Sequence, residues 1–312
     1  IKKNDKYILH SLKDKIKYCR LIRKEIKGRY KYYIQITIEG VPYLKHKVGD
    51  EDVGIDIGTS TIAIVSDNKV ILDRLAYGRD NIDREKRVLQ RKLDRSRRSN
   101  NPNKYNSDGT IKKSNTKWTY SNNYKKIRAK LKEIQRKLKD KRKLSHNKLA
   151  NRILELGIKV KVENMNYQGL QKRSKKTEIS EKTGRYKKKK RYGKSLLNYA
   201  PAMLLTILDN KLRYYGEKLI KIDTIKVRAS QYNHITNEYQ KKKLYERWNK
   251  LGKDKVQRDL YSAFIIKNVK EDLKSIDREK IFKEYNNFLE LHNKEIERIK
   301  NSDIKTLKCM GF

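Results

Sequence analysis

Early in the chain, apolar and polar residues alternate with the period of two that is typical of strands. Over residues 19–41 this alternation is interrupted by the letters KGR, which predicts a β-hairpin. After an acidic linker at 49–52, short apolar runs predict strands near 53–58, 61–66 and 69–76. The letters GTS and DN that join these runs are too short for a crossover, so we expect an antiparallel meander.

From residue 80 the pattern changes to the period of a helix. The segment 80–99 carries apolar residues on one side and basic residues elsewhere, which predicts a charged amphipathic helix. A polar loop with Pro102 and Gly109 follows, and a second long basic helix is predicted from about 121 to 156. We expect these two helices to form a basic helical hairpin inserted at about 79–156.

The rest of the chain mixes strand and helix patterns. In order, it predicts a strand over 157–164, a helix over 198–216, a strand over 218–227, an irregular segment over 230–255, a helix from 256 that is entered near Asp259, and a charged helix over 276–300. Strands that alternate with helices in this way favour an α/β fold with a mixed sheet flanked by helices.

The net charge of the chain indicates which class of molecule it binds. Its 312 residues contain 81 Lys and Arg against 37 Asp and Glu, a formal net charge of +44. Because a chain this basic repels itself unless a polyanion neutralises it, nucleic acid is the expected partner. We predict that nucleic-acid contacts lie in the basic helix and in the run RYKKKKR, at Arg91, Arg95, Arg97, Arg98, Lys187, Lys188, Lys189, Lys190 and Arg191.

The number of cysteines and the hydropathy of the sequence exclude several classes of protein. Cys19 and Cys309 are the two cysteines and lie far apart, which excludes a disulfide framework and a cysteine-rich zinc module. The sequence shows no apolar run long enough to span a bilayer. We therefore expect no membrane partner and a bacterial cytoplasmic location, in the nucleoid when the protein is bound to DNA.

Three acidic residues from distant parts of the chain are the candidate chemistry. Asp56 lies in an apolar strand between Gly54 and Gly58, Glu163 ends a later strand, and Asp259 opens a late helix. Carboxylates that converge from distant positions suit two Mg²⁺ ions about 3.5–4 Å apart, which activate water and stabilise a leaving phosphate oxygen. We expect the two glycines to leave the side of Asp56 open to metal and phosphate.

Each acidic residue also has an ordinary structural explanation. A strand glutamate is commonly a surface residue, and an aspartate in a first helical turn is commonly a cap. The segment VGIDIGTSTIAIV around Asp56 also fits the phosphate grip of actin-like kinases. That alternative requires a glycine-rich adenosine motif and a second phosphate loop, and the sequence shows neither.

The motifs resemble those of the insertion-sequence OrfB proteins called TnpB, which are transposon-encoded RNA-guided nucleases related to type V CRISPR effectors. VGIDIGTSTIAIV resembles the first RuvC motif of the family, VKVENMN the second and VQRDLYSAFII the third. The resemblance extends from about Tyr18 to Lys270. It implies a RuvC-like RNase H fold, a guide RNA of the ωRNA type, and Mg²⁺-dependent cleavage of target DNA by Asp56, Glu163 and Asp259, which would bind two ions.

Two features depart from the family pattern. The family carries four zinc-binding cysteines between its second and third motifs, whereas this chain has none between Glu163 and Asp259. We expect no zinc, a hydrogen-bonding role for the lone His234, and a segment at about 228–256 that folds by packing. The residues expected to pack there are Tyr232, Tyr239, Leu244, Tyr245 and Trp248. The second departure is that only about fifty residues precede Asp56, and their hairpin resembles the end of a wedge domain.

These inferences define the expected organisation and the competing functions. We expect a wedge-like β segment at 1–50, a RuvC-like nuclease domain at 51–275 and a helical tail at 276–312. The expected function is that of an RNA-guided DNA endonuclease. One alternative is a remnant or regulator that binds RNA or DNA without cutting it. Another is a transposase that joins DNA ends, since RNase H-like folds also host that chemistry.

Overall fold

The structure is a computed structural model that describes residues 4–77, 80–113, 115–172, 178–181, 184, 192–243, 245–302 and 308–312. Its contacts divide the chain into two compact units. The first consists of residues 1–43 and 78–143, and the second of residues 44–77 and 144–312. Within the described residues, no helix is both long enough and apolar enough to cross a bilayer.

The first unit holds the predicted hairpin and most of the two predicted basic helices. Its elements are α1 (Lys6–Ser11), β1 (Ile16–Ile26), β2 (Arg29–Ile38), α2 (Asp80–Asn100) and α3 (Asn122–Leu154), whose last turns belong to the second unit. β1 and β2 pair antiparallel around Lys27 and Gly28, both with positive φ, as the letters KGR predict.

The basic helices pack through a narrow apolar seam. Leu89 of α2 is buried with Ile134 and Leu138 of α3, and further apolar residues border them. Val88 and Leu144, which share the predicted apolar pattern, are instead 43% and 59% exposed. Because this apolar seam is narrow, most of the surface of both helices, including the basic side chains, is exposed to solvent.

The second unit is a mixed α/β structure. Its strands are β3 (Asp52–Ile57), β4 (Thr61–Val65), β5 (Val70–Arg74), β6 (Lys159–Glu163), β7 (Ile220–Ile222), β8 (Tyr232–Asn233), β9 (Glu238–Tyr239), β10 (Trp248–Leu251) and β11 (Asp254–Gln257). Its helices are α4 (Tyr167–Gln171), α5 (Gly193–Tyr199), α6 (Pro201–Leu212), α7 (Thr224–Val227), α8 (Arg258–Lys267) and α9 (Arg278–Lys300).

Among the described residues of this unit, the largest sheet has five strands. Its order is β5-β4-β3-β6-β7, with β3, β4 and β5 antiparallel and β3, β6 and β7 parallel. The predicted meander and the mixed α/β fold class are therefore confirmed. One face of the sheet packs on α6 and the end of α3, and the other face packs on α8 and α9.

Three sequence predictions in this unit are wrong in detail. The helix predicted over 198–216 is broken at Ala200, which has φ +46°, so that α5 ends there and α6 begins at Pro201. The strand predicted over 218–227 stops at Ile222, because Asp223 caps α7 by accepting from the Ile225 and Lys226 amides. The segment 230–255 contains the hairpins β8–β9 and β10–β11 instead of irregular chain.

Candidate active site

Two of the predicted acidic residues lie side by side on neighbouring strands. β3 and β6 run parallel with Ile55 opposite Val162, so the next residues, Asp56 and Glu163, reach the same edge of the sheet. Because in-register residues of parallel strands share a face, both carboxylates point to the side on which α8 packs. Val53, Val160 and Val162 bury the opposite face and thereby fix this orientation.

The third acidic residue is brought to the same edge by the close packing of α8 on β3. A Cβ atom at Gly54 would lie 2.1 Å from the Ala263 carbonyl oxygen and 2.5 Å from the Lys267 amide nitrogen. Asp259 lies one turn before Ala263, in the first turn of α8. The space where a side chain of residue 54 would lie is therefore occupied by the backbone of α8. This corrects the expectation that Gly54 leaves room for metal and phosphate.

The start of α8 is held by Gln257. Its side-chain oxygen accepts from the Leu260 amide at 2.8 Å, and its Nε2 donates to Asp259 Oδ2 at 3.4 Å. Gln257 Nε2 also lies 3.3 Å from the Met310 carbonyl oxygen. These bonds orient the Asp259 carboxylate, and the positive end of the helix dipole favours its charged form.

The electrostatics of the site indicate that its three carboxylates are close together. Burial raises the pKa of Asp56 well above its usual value, and the negative charges of Glu163 and Asp259 raise it further. Burial also raises the pKa of Glu163 and that of Asp259. Arg258 opposes the shift at both aspartates. Repulsion among half-buried anions is a cost that a bound cation relieves.

Two hydroxyl groups beside the carboxylates were not identified from the sequence. Burial and the charges of Asp56 and Glu163 raise the pKa of Tyr167 on α4. Its hydroxyl is buried and has no hydrogen-bond partner in the described part of the chain. Ser262 Oγ is also buried without a well-formed hydrogen bond there, although it is close enough to favour the charged form of Asp56. The sequence signal that could have identified these two residues is their spacing from the motifs. Tyr167 lies four residues after Glu163, and Ser262 lies three residues after Asp259.

The donor set fits Mg²⁺, which prefers carboxylate oxygens and retains several waters. Within the described residues, no three His, Cys, Asp or Glu side chains surround a single point in an arrangement that holds a metal. A site for two ions does not require such an arrangement, because each Mg²⁺ takes only one or two carboxylates and completes its shell with water and phosphate.

The predicted arginine contacts on α2 differ from one another in their surroundings. Arg91 and Arg95 are exposed one helical turn apart. Arg97 donates to Asp94 at 2.8 Å and lies over the Trp118 ring. Arg98 donates to the Gly109 carbonyl oxygen at 3.2 Å and lies over the Tyr105 ring. The predicted contacts Lys187, Lys188, Lys189, Lys190 and Arg191 fall outside the described residues.

His234 has the hydrogen-bonding role that was predicted. Its Nδ1 lies 2.8 Å from the Tyr261 hydroxyl oxygen, and its ring packs against Tyr285. Burial lowers its pKa to about 4, so the ring is neutral near pH 7.

The aromatic residues predicted to pack in this segment differ from one another in how far they are buried. Tyr232 is buried and Trp248 is half-buried, whereas Tyr239 and Tyr245 are 40% and 73% exposed. Leu244 lies outside the described residues.

No protein-family model matches the sequence, and no match is found among curated proteins. Among solved structures, the chain is similar to one in "Cryo-EM structure of the Cas12f1-sgRNA-target DNA complex", with a TM-score of 0.48 and 13% sequence identity. The similarity covers 82% of this chain and 46% of that chain, so this chain spans less than half of the length of its neighbour. A likeness at this level assigns no function.

Proposed function

We propose that this chain is a Mg²⁺-dependent nuclease in which Asp56, Glu163 and Asp259 form one phosphodiester-cleaving site. The observation that carries the proposal is that carboxylates 107 and 96 residues apart along the chain come together, half-buried, at one edge of the sheet, where burial and the charges of Glu163 and Asp259 raise the pKa of Asp56. A fold gains no stability from gathering like charges in a partly desolvated place, whereas a metal site requires it.

In the proposed reaction, acidic residues would bind the metal ions and arginines would attract the phosphate. Asp56 and Glu163, held on adjacent strands, and Asp259, held at the start of α8, would bind two Mg²⁺ ions and thereby fix the scissile phosphate. When bound, the ions supply a nucleophilic water and stabilise the leaving oxygen. Arg258 and Arg247 place positive charge near Asp259, where it favours entry of a phosphate.

We further propose that the substrate is DNA and that a guide RNA selects it. The net charge of +44 supports binding of nucleic acid. Guidance by RNA and the transposon origin are supported by the resemblance of the three sequence motifs to those of TnpB. Two-metal cleavage by this chain is part of the same proposal.

Binding without cleavage is the second candidate function. It is favoured by one observation, that within the described residues no three acidic or metal-binding side chains surround a single point. In that case the basic surface would hold RNA or DNA, and the three carboxylates would be a vestige of a lost activity.

Single-turnover cleavage separates these two functions. The purified protein, with any RNA that accompanies it, is incubated with Mg²⁺ and DNA that carries sequences complementary to that RNA. Asp56→Asn, Glu163→Gln and Asp259→Asn should each abolish cleavage and retain nucleic-acid binding. Glu297→Gln, at an exposed carboxylate of α9, is the matched control and should cut normally. Cleavage by Glu163→Gln at the wild-type rate would refute the site assignment, and binding without any cleavage would favour the second candidate.

A further inference from the structure

Residues 308–312, named here the 308–312 strap, pack beside the start of α8. Met310 is 4% exposed and belongs to the apolar cluster that surrounds this helix. The ring of Phe312 packs edge-on against the ring of Trp248, with 5.7 Å between their centroids. The strap is therefore anchored on both sides of Gly311 by apolar contacts.

Two hydrogen bonds hold the backbone of the strap to the hairpin β10–β11. Trp248 Nε1 donates to the Gly311 carbonyl oxygen at 3.2 Å, and Gln257 Nε2 donates to the Met310 carbonyl oxygen at 3.3 Å. Gly311 has φ +92°, and a Cβ atom there would lie 2.9 Å from Arg247 Cβ and 3.0 Å from Trp248 Nε1. Only glycine fits this close contact without a shift of the strap.

The strap shares a partner with the candidate active site. Gln257 Nε2, which donates to the strap, also lies 3.4 Å from Asp259 Oδ2. Gln257 Oε1 accepts from the Leu260 amide, so the amide group has one orientation and its nitrogen serves both acceptors. Cys309 Sγ lies 3.6 Å from Ser60 Oγ, in the turn between β3 and β4. The strap therefore contacts the turn that follows β3 and the residue that caps α8, the two elements that carry the aspartates.

We propose that the 308–312 strap is a positioning element for metal binding: through the Met310 carbonyl oxygen it holds Gln257, which in turn holds the carboxylate of Asp259. This inference rests on the proposed nuclease function. If the strap shifts, the Gln257 side chain loses one of its three hydrogen bonds and holds the carboxylate less firmly. Loss of a partner that orients a metal ligand typically weakens metal binding by about 10–100-fold.

Titration of the full chain with Mn²⁺, followed by electron paramagnetic resonance, tests this role without any need for cleavage. Gly311→Ala displaces the strap, and it should weaken Mn²⁺ binding by about tenfold. Trp248→Phe keeps a ring against Phe312 and removes the donor to the strap, and it should weaken binding by about threefold, as expected for one hydrogen bond. This second variant covers the case in which Gly311→Ala does not fold.

The matched control is Gly216→Ala. Gly216 has φ +78°, so alanine meets similar backbone strain there, but the space around its Cβ is open among the described residues. This variant should bind Mn²⁺ like the wild type, measured at a temperature at which circular dichroism shows every variant to be folded.

A thiol reporter follows the strap itself. In the full chain with Cys19→Ser, Cys309 is the remaining cysteine, and it is half-buried in the strap. Because coupling between two equilibria is reciprocal, saturating Mg²⁺ should slow the alkylation of Cys309 by iodoacetamide by up to about tenfold relative to EDTA. Asp259→Asn should remove this protection. A strap that supports only the fold would react at the same rate with and without Mg²⁺.

The outcomes separate this proposal from the proposed nuclease function. If the wild type binds Mn²⁺ and both strap variants bind it equally well, or if Mg²⁺ leaves the alkylation rate unchanged, the role of the strap is overturned and the metal site stands. Equal weakening in Gly216→Ala and Gly311→Ala would also overturn it, since the effect would be general destabilisation. Absence of Mn²⁺ binding by the wild type would contradict the proposed function, and the role of the strap with it.

Discussion

At the scale of single residues, the central feature is a half-buried carboxylate, that of Asp56, beside two others. Asp56 lies in a strand in which the residues on either side of it are buried. All three acidic residues were predicted from the sequence, because an aspartate inside an apolar run requires an explanation, and their role as a site stays a prediction. Tyr167 and Ser262 were missed, since a tyrosine and a serine near a motif are common and only the tertiary structure shows that their hydroxyls are buried.

Neutralising Asp56 should stabilise the metal-free protein. Asp56→Asn removes one of three crowded, half-buried carboxyl groups, whose ionisation or proton uptake costs stability at pH 8, so we expect the free energy of unfolding in EDTA at pH 8 to rise by roughly 1 kcal/mol or more. For a chain of this size that corresponds to about 2–4 °C per kcal/mol in melting temperature, measured by calorimetry or differential scanning fluorimetry.

The pH dependence of this difference has a defined sign. The pKa of Asp56 is raised on folding, so the folded protein keeps a proton that the unfolded chain releases, and stability is lost as the pH rises from the ordinary aspartate value of about 4 toward the raised pKa. The gap between variant and wild type should therefore be largest at pH 8 and shrink as the pH falls toward the ordinary aspartate value of about 4. A variant that melts at a lower temperature than the wild type at pH 8 would show that Asp56 is stabilised by partners rather than repelled.

At the scale of elements, the packing of α8 on β3 sets the position of the site. Two buried or half-buried ionic contacts hold its far end, where Lys267 is paired with Asp67 and, at 2.7 Å, with Glu284. The apolar run in the third motif predicted the helix, but it did not predict that the helix backbone touches Gly54. Close approach of two backbones depends on the tertiary arrangement, which hydrophobic periodicity does not encode.

The glycines on either side of Asp56 should differ sharply in their tolerance of alanine. Gly54→Ala would place Cβ 2.1 Å from a backbone oxygen of α8, so the helix must move, and we expect a loss of about 3 kcal/mol or more of stability. At Gly58 the nearest atom to a new Cβ is Thr61 Oγ1 at 3.1 Å, so Gly58→Ala is the matched control with a small effect. Denaturant unfolding of both variants measures the difference. Equal stabilities would show that α8 does not rest on β3 at Gly54.

The two hairpins between Ile222 and α8 should be stable without zinc. His234 is engaged by Tyr261, and the free cysteines Cys19 and Cys309 lie outside this segment. We therefore expect elemental analysis to find less than one zinc per chain, and chelators to leave the melting temperature unchanged. The segment was predicted to be irregular because its lysines and polar residues obscure the strand period, although the role of its histidine was predicted correctly. One zinc per chain, lost together with the fold on chelation, would contradict this description.

At the scale of the whole molecule, we expect the net charge to determine how tightly the protein binds nucleic acid. With a net charge of +44, contacts to phosphates release counterions, so the affinity for nucleic acid should fall steeply as salt rises. This expectation rests on the sequence alone, since net charge requires no knowledge of the fold. The sequence did not predict that Arg97 and Arg98 lie over the rings of Trp118 and Tyr105, because those contacts join residues across a loop. Their pairing with Asp94 is local to α2, at three and four residues along the helix.

Removing four lysines from the basic run should weaken binding and reduce its salt dependence. Changing Lys187, Lys188, Lys189 and Lys190 to Ser should make the slope of log affinity against log salt shallower by up to about 3, given roughly 0.7–0.9 per phosphate contact. Circular dichroism should show an unchanged fold, because the run is too polar to belong to a core. Fluorescence anisotropy at several salt concentrations measures the slope, and an unchanged slope and affinity would exclude this run from the nucleic-acid contacts.

The central claim is that Asp56, Glu163 and Asp259 together hold divalent ions. Titration with Mn²⁺, followed by electron paramagnetic resonance in the presence of a single-stranded oligonucleotide, tests it directly, because free Mn²⁺ is counted without any need for cleavage. The account predicts two bound ions for the wild type and for Glu297→Gln, and loss of tight binding in Asp56→Asn, Glu163→Gln and Asp259→Asn. Wild-type Mn²⁺ binding by all three site variants would contradict it.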